Sequence, residues 1–260
     1  MNNDPSAPGF WSALVQVLLT GTGQTLYMVS VALLITLIVG LPLGIVLVGT
    51  ERGGLFAAPF GRRGLGVAIN RVLDFIVNLG RSIPFIIVMI AIIPFTRLIV
   101  GTFIGTTAAI VPLSIVAIPF FARMVEIALK EIDPGLTEAA ESLGATRGQI
   151  VRKVFIPEAL PSIVLGLATT ITSIINFSAM VGVVAGGGLG DVAFRYGYQG
   201  FNTPYIIAVI IVIFVIVQII ASVAALIARR LLHETASQVS LGSLVSFPNG
   251  TQPTRSQQSI

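Results

Sequence analysis

Ile206-Ile-Ala-Val-Ile-Ile-Val-Ile-Phe-Val-Ile-Val-Gln218-Ile-Ile-Ala-Ser-Val-Ala-Ala-Leu-Ile-Ala-Arg229-Arg230-Leu-Leu232 decides the fold class. It is apolar on every face, with Gln218 as its main polar interruption. A helix on the surface of a soluble protein keeps a polar face; a run of roughly 20 apolar residues instead matches the hydrocarbon thickness of a bilayer. Toward the N-terminus four more such runs follow: about Ile163 to Val184, Ile104 to Phe121, Val72 to Phe95 and Leu26 to Val48. The reading is an all-α integral membrane protein with five transmembrane helices.

Composition agrees. The chain is 55% hydrophobic and 10% charged, against about 25% charged in a soluble domain. Cysteine is absent, which excludes disulfides and thiolate metal sites. The lone His233 is read as a solvated residue, because a zinc site needs three or four ligands. The net charge of +4 points to a membrane rather than to nucleic acid, because the cations gather on one side of the spans.

Arg52, Arg62, Arg63 and Arg71 follow the first span. Arg123, Lys130, Arg147, Arg152 and Lys153 follow the third, and Arg229 and Arg230 end the fifth. The opposite side has Arg97 and Arg195, and no Lys or Arg precedes Trp11. By the positive-inside rule the N-terminus is outside and the C-terminus cytoplasmic. Residues 1–20 are expected as an external segment with Phe10 and Trp11 as interfacial anchors. Residues 21–234 form the transmembrane domain, and the Ser-, Gln-, Thr-, Pro- and Gly-rich stretch 235–260 reads as a disordered cytoplasmic tail. Pro42, Pro84, Pro94, Pro112 and Pro119 predict kinks within the bundle.

The cytoplasmic loop between the third and fourth spans, residues 132–157, is the most informative stretch. Thr137 is a plausible N-cap, with Glu138 and Glu141 in the first turn, where negative charge suits the helix dipole. Gly144 is a helix stop. Thr146 and Gln149 have the spacing of a capping box, and they open a second helix that Pro157 is expected to end. Small residues at Ala139, Ala140, Gly144 and Ala145 let a partner approach closely, beside a charged flank of Arg147, Arg152 and Lys153. This has the shape of a docking element. A DNA-reading helix-turn-helix has a similar outline, but a segment tethered between two spans makes a poor DNA reader.

Glu138-Ala139-Ala140, Gly144, Val154, Ile156 and Pro157 carry a resemblance. Their spacing resembles the cytoplasmic coupling motif of importer permeases of the ATP-binding cassette superfamily. That motif reads Glu-Ala-Ala, three residues, Gly, nine residues, Ile, one residue, Leu-Pro. The departures are Val154 for Ile and Ile156 for Leu. The likeness extends through Arg81-Ser-Ile-Pro-Phe, Ile93-Pro-Phe-Thr-Arg97, Ala122-Arg-Met-Val-Glu126, Pro157-Glu-Ala-Leu-Pro161 and Ser178-Ala-Met180. It is similar above all to the permeases of methionine importers.

The resemblance implies a five-span permease of the bacterial inner membrane. It works as a homodimer with a cytoplasmic ATPase dimer, which docks on Glu138, Ala139, Ala140, Gly144, Ala145 and Pro157, and with an external substrate-binding protein. It implies no catalytic residue and no cofactor on this chain, ATP and magnesium belonging to the ATPase. Beyond Glu234 the likeness stops.

Several alternatives stay open at this point. Asn176, Ser178 and Met180 either line the pathway or pack helices. Arg81, a charge inside a span, either pairs with Asp74 or Glu126, snorkels to the cytoplasm, or touches substrate. Gly186-Gly-Gly-Leu-Gly190 lacks the Gly-Lys-Ser/Thr of a phosphate loop and reads as a backbone turn at the mouth of the pathway. The competing functions are an ion-coupled secondary transporter, which would favour acids deep in the spans, and a permease for another small amino acid. An embedded enzyme finds no acid pair or Ser/His/Asp cluster to support it.

Overall fold

The structure is a computed structural model that describes the backbone of residues 6, 8–51 and 63–243, with side chains omitted at 63–64 and 232–243. Ten α-helices make up the described chain: α1 (Phe10–Gly49), α2 (Arg63–Ser82), α3 (Phe85–Ala91), α4 (Ile93–Val100), α5 (Thr106–Lys130), α6 (Pro134–Ser142), α7 (Arg147–Ile150), α8 (Ile156–Val183), α9 (Gly188–Val192) and α10 (Thr203–Ser243). Wider π-helical turns at Val151–Phe155 and Ala193–Gln199 join α7 to α8 and extend α9. Four helical runs are long and apolar enough to span a membrane, and a bent pair of helices makes a fifth.

Three boundaries differ from the hydropathy. The first span is expected from about Leu26, but α1 begins at Phe10 and takes in most of the stretch read as an external segment. Its 40 residues reach about 60 Å, twice the hydrocarbon thickness. The early turns hold because Phe10 and Leu14 pack with Leu189, Val192, Tyr205 and Val209. At the other end α10 continues to Ser243, past the expected start of the tail; residues 244–260 lie outside the described residues.

The second span is the largest departure. It is not one rod from Val72 to Phe95: α2 stops at Ser82 and α3 leaves it at 106°. Pro84 disfavours the helical conformation at Ile83 and has no N–H to continue the ladder. Pro94 stands in the first turn of α4, just after the break at Ile92, while α1 and α5 run on through Pro42, Pro112 and Pro119.

The core lies around α5, the most enclosed of the spans, whose best apolar window is 67% buried against 6% for that of α10. Met28, Val29 and Ala32 of α1 meet Ala109, Ile110 and Leu113 of α5 and Ile174 and Ile175 of α8. Lipid tails are as apolar as leucine, so close packing must hold the helices together. At Gly44 a Cβ would sit 2.7 Å from the Ala122 carbonyl oxygen, so the backbones of α1 and α5 approach as only glycine permits. A second cluster, Phe121, Val125, Leu129, Ile150, Phe155 and Ile163, ties the segment between α5 and α8 to the bundle.

Candidate functional site

Two features remain once packing is satisfied: the segment between α5 and α8, and a polar face on α2 and α8. In the first, Pro134 opens α6 and Asp133 is its N-cap, its Oδ1 accepting from the Gly135 N–H at 2.8 Å. Thr137, the N-cap expected from sequence, lies inside the helix. A proline at the first helical position wastes no donor, so Asp133-Pro134 is the stronger start.

The helix ends as Gly144 predicts. Gly144 has φ +78°; its N–H donates to the Glu141 carbonyl at 2.9 Å, and the Ala145 N–H to that of Ala140 at 3.0 Å. This is the Schellman pattern. Thr146 and Gln149 form the expected capping box, with the Thr146 N–H donating to Gln149 Oε1 at 2.7 Å.

Pro157 does not end the second helix. It sits in the first turn of α8, and the helical path continues from Arg147 to Val183. The π-helical turn just before it leaves room for the ring without the usual clash.

No residue of α6 is buried. Glu138, Ala139, Gly144 and Pro157 are exposed, and Ala140 and Ala145 are half-buried against the bundle. Nothing lies within 4 Å of where a Gly144 Cβ would point. Leu143 is 88% and Leu136 43% exposed. With Ala139 and the half-buried Ala140 they make an i, i+3, i+4, i+7 stripe, exposed at Leu136, Ala139 and Leu143. The two leucines are the residues that the sequence reading overlooks, and this helical spacing around Glu138 is the signal that identifies them.

An ionic chain braces the bundle below α6. Glu126 is 3% exposed. It accepts from Arg123 at 2.7 Å and from Lys130 at 2.8 Å. Arg123 also reaches Asp74 at 3.2 Å, and Lys130 pairs with Glu51. The ends of α1, α2 and α5 are thus joined, and both acids considered as partners for Arg81 are taken by Arg123. Arg81 instead stands over the Phe120 ring, 5.9 Å from its centroid.

The three pathway candidates part company. Asn176 and Met180 lie one turn apart on α8 and are exposed. Ser178 faces the other way, 3% exposed, and donates to the Ile175 carbonyl at 2.7 Å, so it is a packing residue. Asn176 shares the exposed face of α8 with Thr169. The hydroxyl of Thr169 is satisfied by the Leu165 carbonyl.

The glycine-rich stretch turns the chain at Gly186 and Gly187, and from Gly188 it opens α9 rather than continuing as a turn. Gly187 and Gly188 have positive φ. The Gly188 N–H donates to Gln24 Oε1 at 2.8 Å and the Leu189 N–H to Thr25 Oγ1 at 2.9 Å, which pins the turn to α1. A Cβ on Gly182 would come within 2.2 Å of the Asp191 nitrogen, so α8 and α9 cross backbone to backbone. Among the described residues no group of His, Asp or Glu is placed to hold a metal ion.

Known proteins share this arrangement. A family model described as "Binding-protein-dependent transport system inner membrane component" matches residues 52–233. A probable D-methionine transport system permease protein of Vibrio cholerae is 50% identical over 202 residues, 77% of this chain and 86% of the relative. The D-methionine transport system permease protein of Escherichia coli K12 is 46% identical over 177 residues, 68% of this chain and 76% of the relative. A chain of the MetNI methionine ABC transporter, solved in an inward-facing conformation, superposes with a TM-score of 0.79. It is 42% identical, with 87% of this chain and 99% of that chain covered. The chain belongs to the family of multi-pass inner-membrane components of binding-protein-dependent transport systems.

Proposed function

We propose that two copies of this chain enclose a pathway for methionine, driven by a separate ATPase that docks on α6. The observation that carries the proposal is the exposed face of α6: a helix of nine residues, none buried, capped at both ends and held beneath an ionically braced bundle. An apolar stripe of this kind facing water is a surface that awaits a partner. Relatives named for methionine transport supply the substrate.

In this reading the N-terminus is outside and the C-terminus cytoplasmic, which puts α6 on the side of the ATPase. ATP and its magnesium ion bind that partner. An external binding protein delivers the amino acid to the opposite end, where the pinned Gly186–Gly190 stretch forms part of the mouth. Asn176 and Met180 line the path. ATP must bind one global state more tightly than the other for its closure to drive the change.

Reconstitution tests the reading. Proteoliposomes holding this chain, its ATPase and the binding protein should accumulate methionine when ATP is supplied, and liposomes lacking the ATPase should not. Accumulation driven by a proton gradient alone would overturn it. Reporter fusions at Gly101 and at the C-terminus check the orientation, and a cytoplasmic signal at Gly101 counts against it.

A further inference from the structure

At the break between α2 and α3 a cavity of about 350 Å³ opens, within the size range of small-molecule sites. Arg81, Ser82, Phe85, Val116, Phe120 and Phe177 are among its walls. Its depth follows from α5. Phe120 is ten residues before the cytoplasmic end of that helix at Lys130, which at 1.5 Å per residue is about 15 Å. Arg81 therefore lies about one turn of α5 inward from Arg123, inside an apolar run rather than at its end.

Among the described residues no carboxylate lies within ion-pair distance of Arg81, and the Phe120 face is its one contact of note. A guanidinium within a membrane span is costly unless it faces water or a partner. Its own helix argues for water. Asp74, Asn78, Arg81 and Ser82 recur at helical spacing along α2, with Asn78 donating to Asp74 and the Ser82 hydroxyl to the Asn78 carbonyl. Phe177, on the cavity wall, is next in sequence to the exposed Asn176 on α8.

An amino acid crossing here brings a carboxylate that must not be left bare in a low dielectric. The planar fork of an arginine pairs with a carboxylate through two parallel hydrogen bonds, and Arg81 has no other acid to satisfy. The aromatic walls suit an apolar, flexible side chain, and a thioether sulfur is attracted to ring edges. The carbonyl end of α2 opens on the same cavity, and helix C-termini favour a cation such as the α-ammonium.

We propose that Arg81 is the station at which the carboxylate of the transported amino acid is held on its way through the bundle, its side chain lying against Phe120 and Phe177. The proposal rests on the transport reading above.

The test titrates the assembled complex of this chain and its ATPase, in phosphatidylcholine nanodiscs, with L-methionine and with methioninol, in which a hydroxymethyl group replaces the carboxylate. Methionine should bind at least tenfold more tightly than methioninol. Arg81→Gln should erase that difference, Arg81→Lys should keep part of it, and adding phosphatidylglycerol should leave it unchanged. The proposal is overturned if the unaltered complex does not discriminate, or if Arg81→Gln still does. It is also overturned if phosphatidylglycerol removes the discrimination, which would make a lipid phosphate the natural ligand. Should Arg81→Gln fail to assemble, the unaltered complex and Arg81→Lys still decide. Uptake by proteoliposomes separates the two readings: accumulation without discrimination sinks the role of Arg81 alone, and no accumulation sinks both.

Discussion

Two bends of the described chain are built differently, one between α5 and α8 and the other between α2 and α3. The cytoplasmic turn is closed by bonds between residues a few positions apart: Asp133 to Gly135, Ala145 to Ala140, Thr146 to Gln149. The turn at Pro84 has no side-chain cap; its short-range bonds are backbone ones, from the Ile87 and Val88 N–H groups to the Pro84 carbonyl at 2.9 and 3.3 Å. It is held by what packs on it, Phe85 stacking on Phe177 at 4.8 Å and Gly80 against Pro119. The first is self-contained, and under the proposed docking it serves as a lever that passes a push from the ATPase to the bundle. The second keeps its bend only while α5 and α8 stay in place, and so it can respond to their movement.

The largest expected effect falls on the lever. Gly144 sits at φ +78° with open space around it. A residue with a Cβ pays roughly 1 kcal/mol there, too little to unfold the segment. A bulky side chain would nevertheless stand on the docking face. Gly144→Trp should reach the membrane in normal amounts, lose ATPase association in a detergent pull-down and lose methionine uptake. Full binding and full uptake would remove α6 as the docking element.

Phe85→Ala should have the next effect, through the other turn. Phe85 is 5% exposed. Removing its ring leaves a cavity on the order of 100 Å³, worth about 2 kcal/mol, with little transfer energy added because the surroundings are already apolar. Thermal unfolding in detergent should register the loss. Pro84→Ala should do less: it restores one N–H, worth about 1 kcal/mol, against the packing of Phe85 and Met89. The bend should therefore persist, and uptake should fall by less than Phe85→Ala lowers it. If Pro84→Ala proved the more damaging, the bend would be set by the proline rather than by its neighbours.

The same division explains what could be read in advance. The Gly144 stop and the Thr146–Gln149 box were legible because the interacting groups are near in sequence. The five apolar stretches were legible because lipid imposes a length. Thr137 reads as the N-cap because the acids after it fit a first turn, whereas Asp133 and the proline at position 134 decide the start. The bend at Pro84 looked like one kink among several; only the fit of Gly80 on Pro119 and the burial of Phe85 distinguish it, and those contacts join residues far apart in the chain. Arg81 was visible as an anomaly, but that Asp74 and Glu126 both belong to Arg123 is a fact of three helices meeting. The ion-coupled alternative was settled by family membership rather than by any residue.

The smallest expected effect tests whether the lever is as self-contained as its bonds suggest. Thr146→Ala deletes the hydroxyl that accepts from the Gln149 N–H and leaves Gln149 bonded to the backbone nitrogen of residue 146. Losing an N-cap hydroxyl costs about 1 kcal/mol. The loss should stay local, because α7 runs on into α8 and Ile150 is anchored in the cytoplasmic core cluster at 1% exposure. Hydrogen exchange of the amides at the start of α7 should therefore quicken by about fivefold, the factor that 1 kcal/mol represents. ATPase association and uptake should stay within twofold of the unaltered chain. The small residues and apolar stripe proposed to meet the partner are untouched, and α6 still ends through the Gly144 N–H to the Glu141 carbonyl and the Ala145 N–H to that of Ala140. If Thr146→Ala abolished docking as Gly144→Trp is expected to, the cap and the docking face would be one cooperative unit, and the contrast between a rigid cytoplasmic lever and a packing-dependent bend would have to be redrawn.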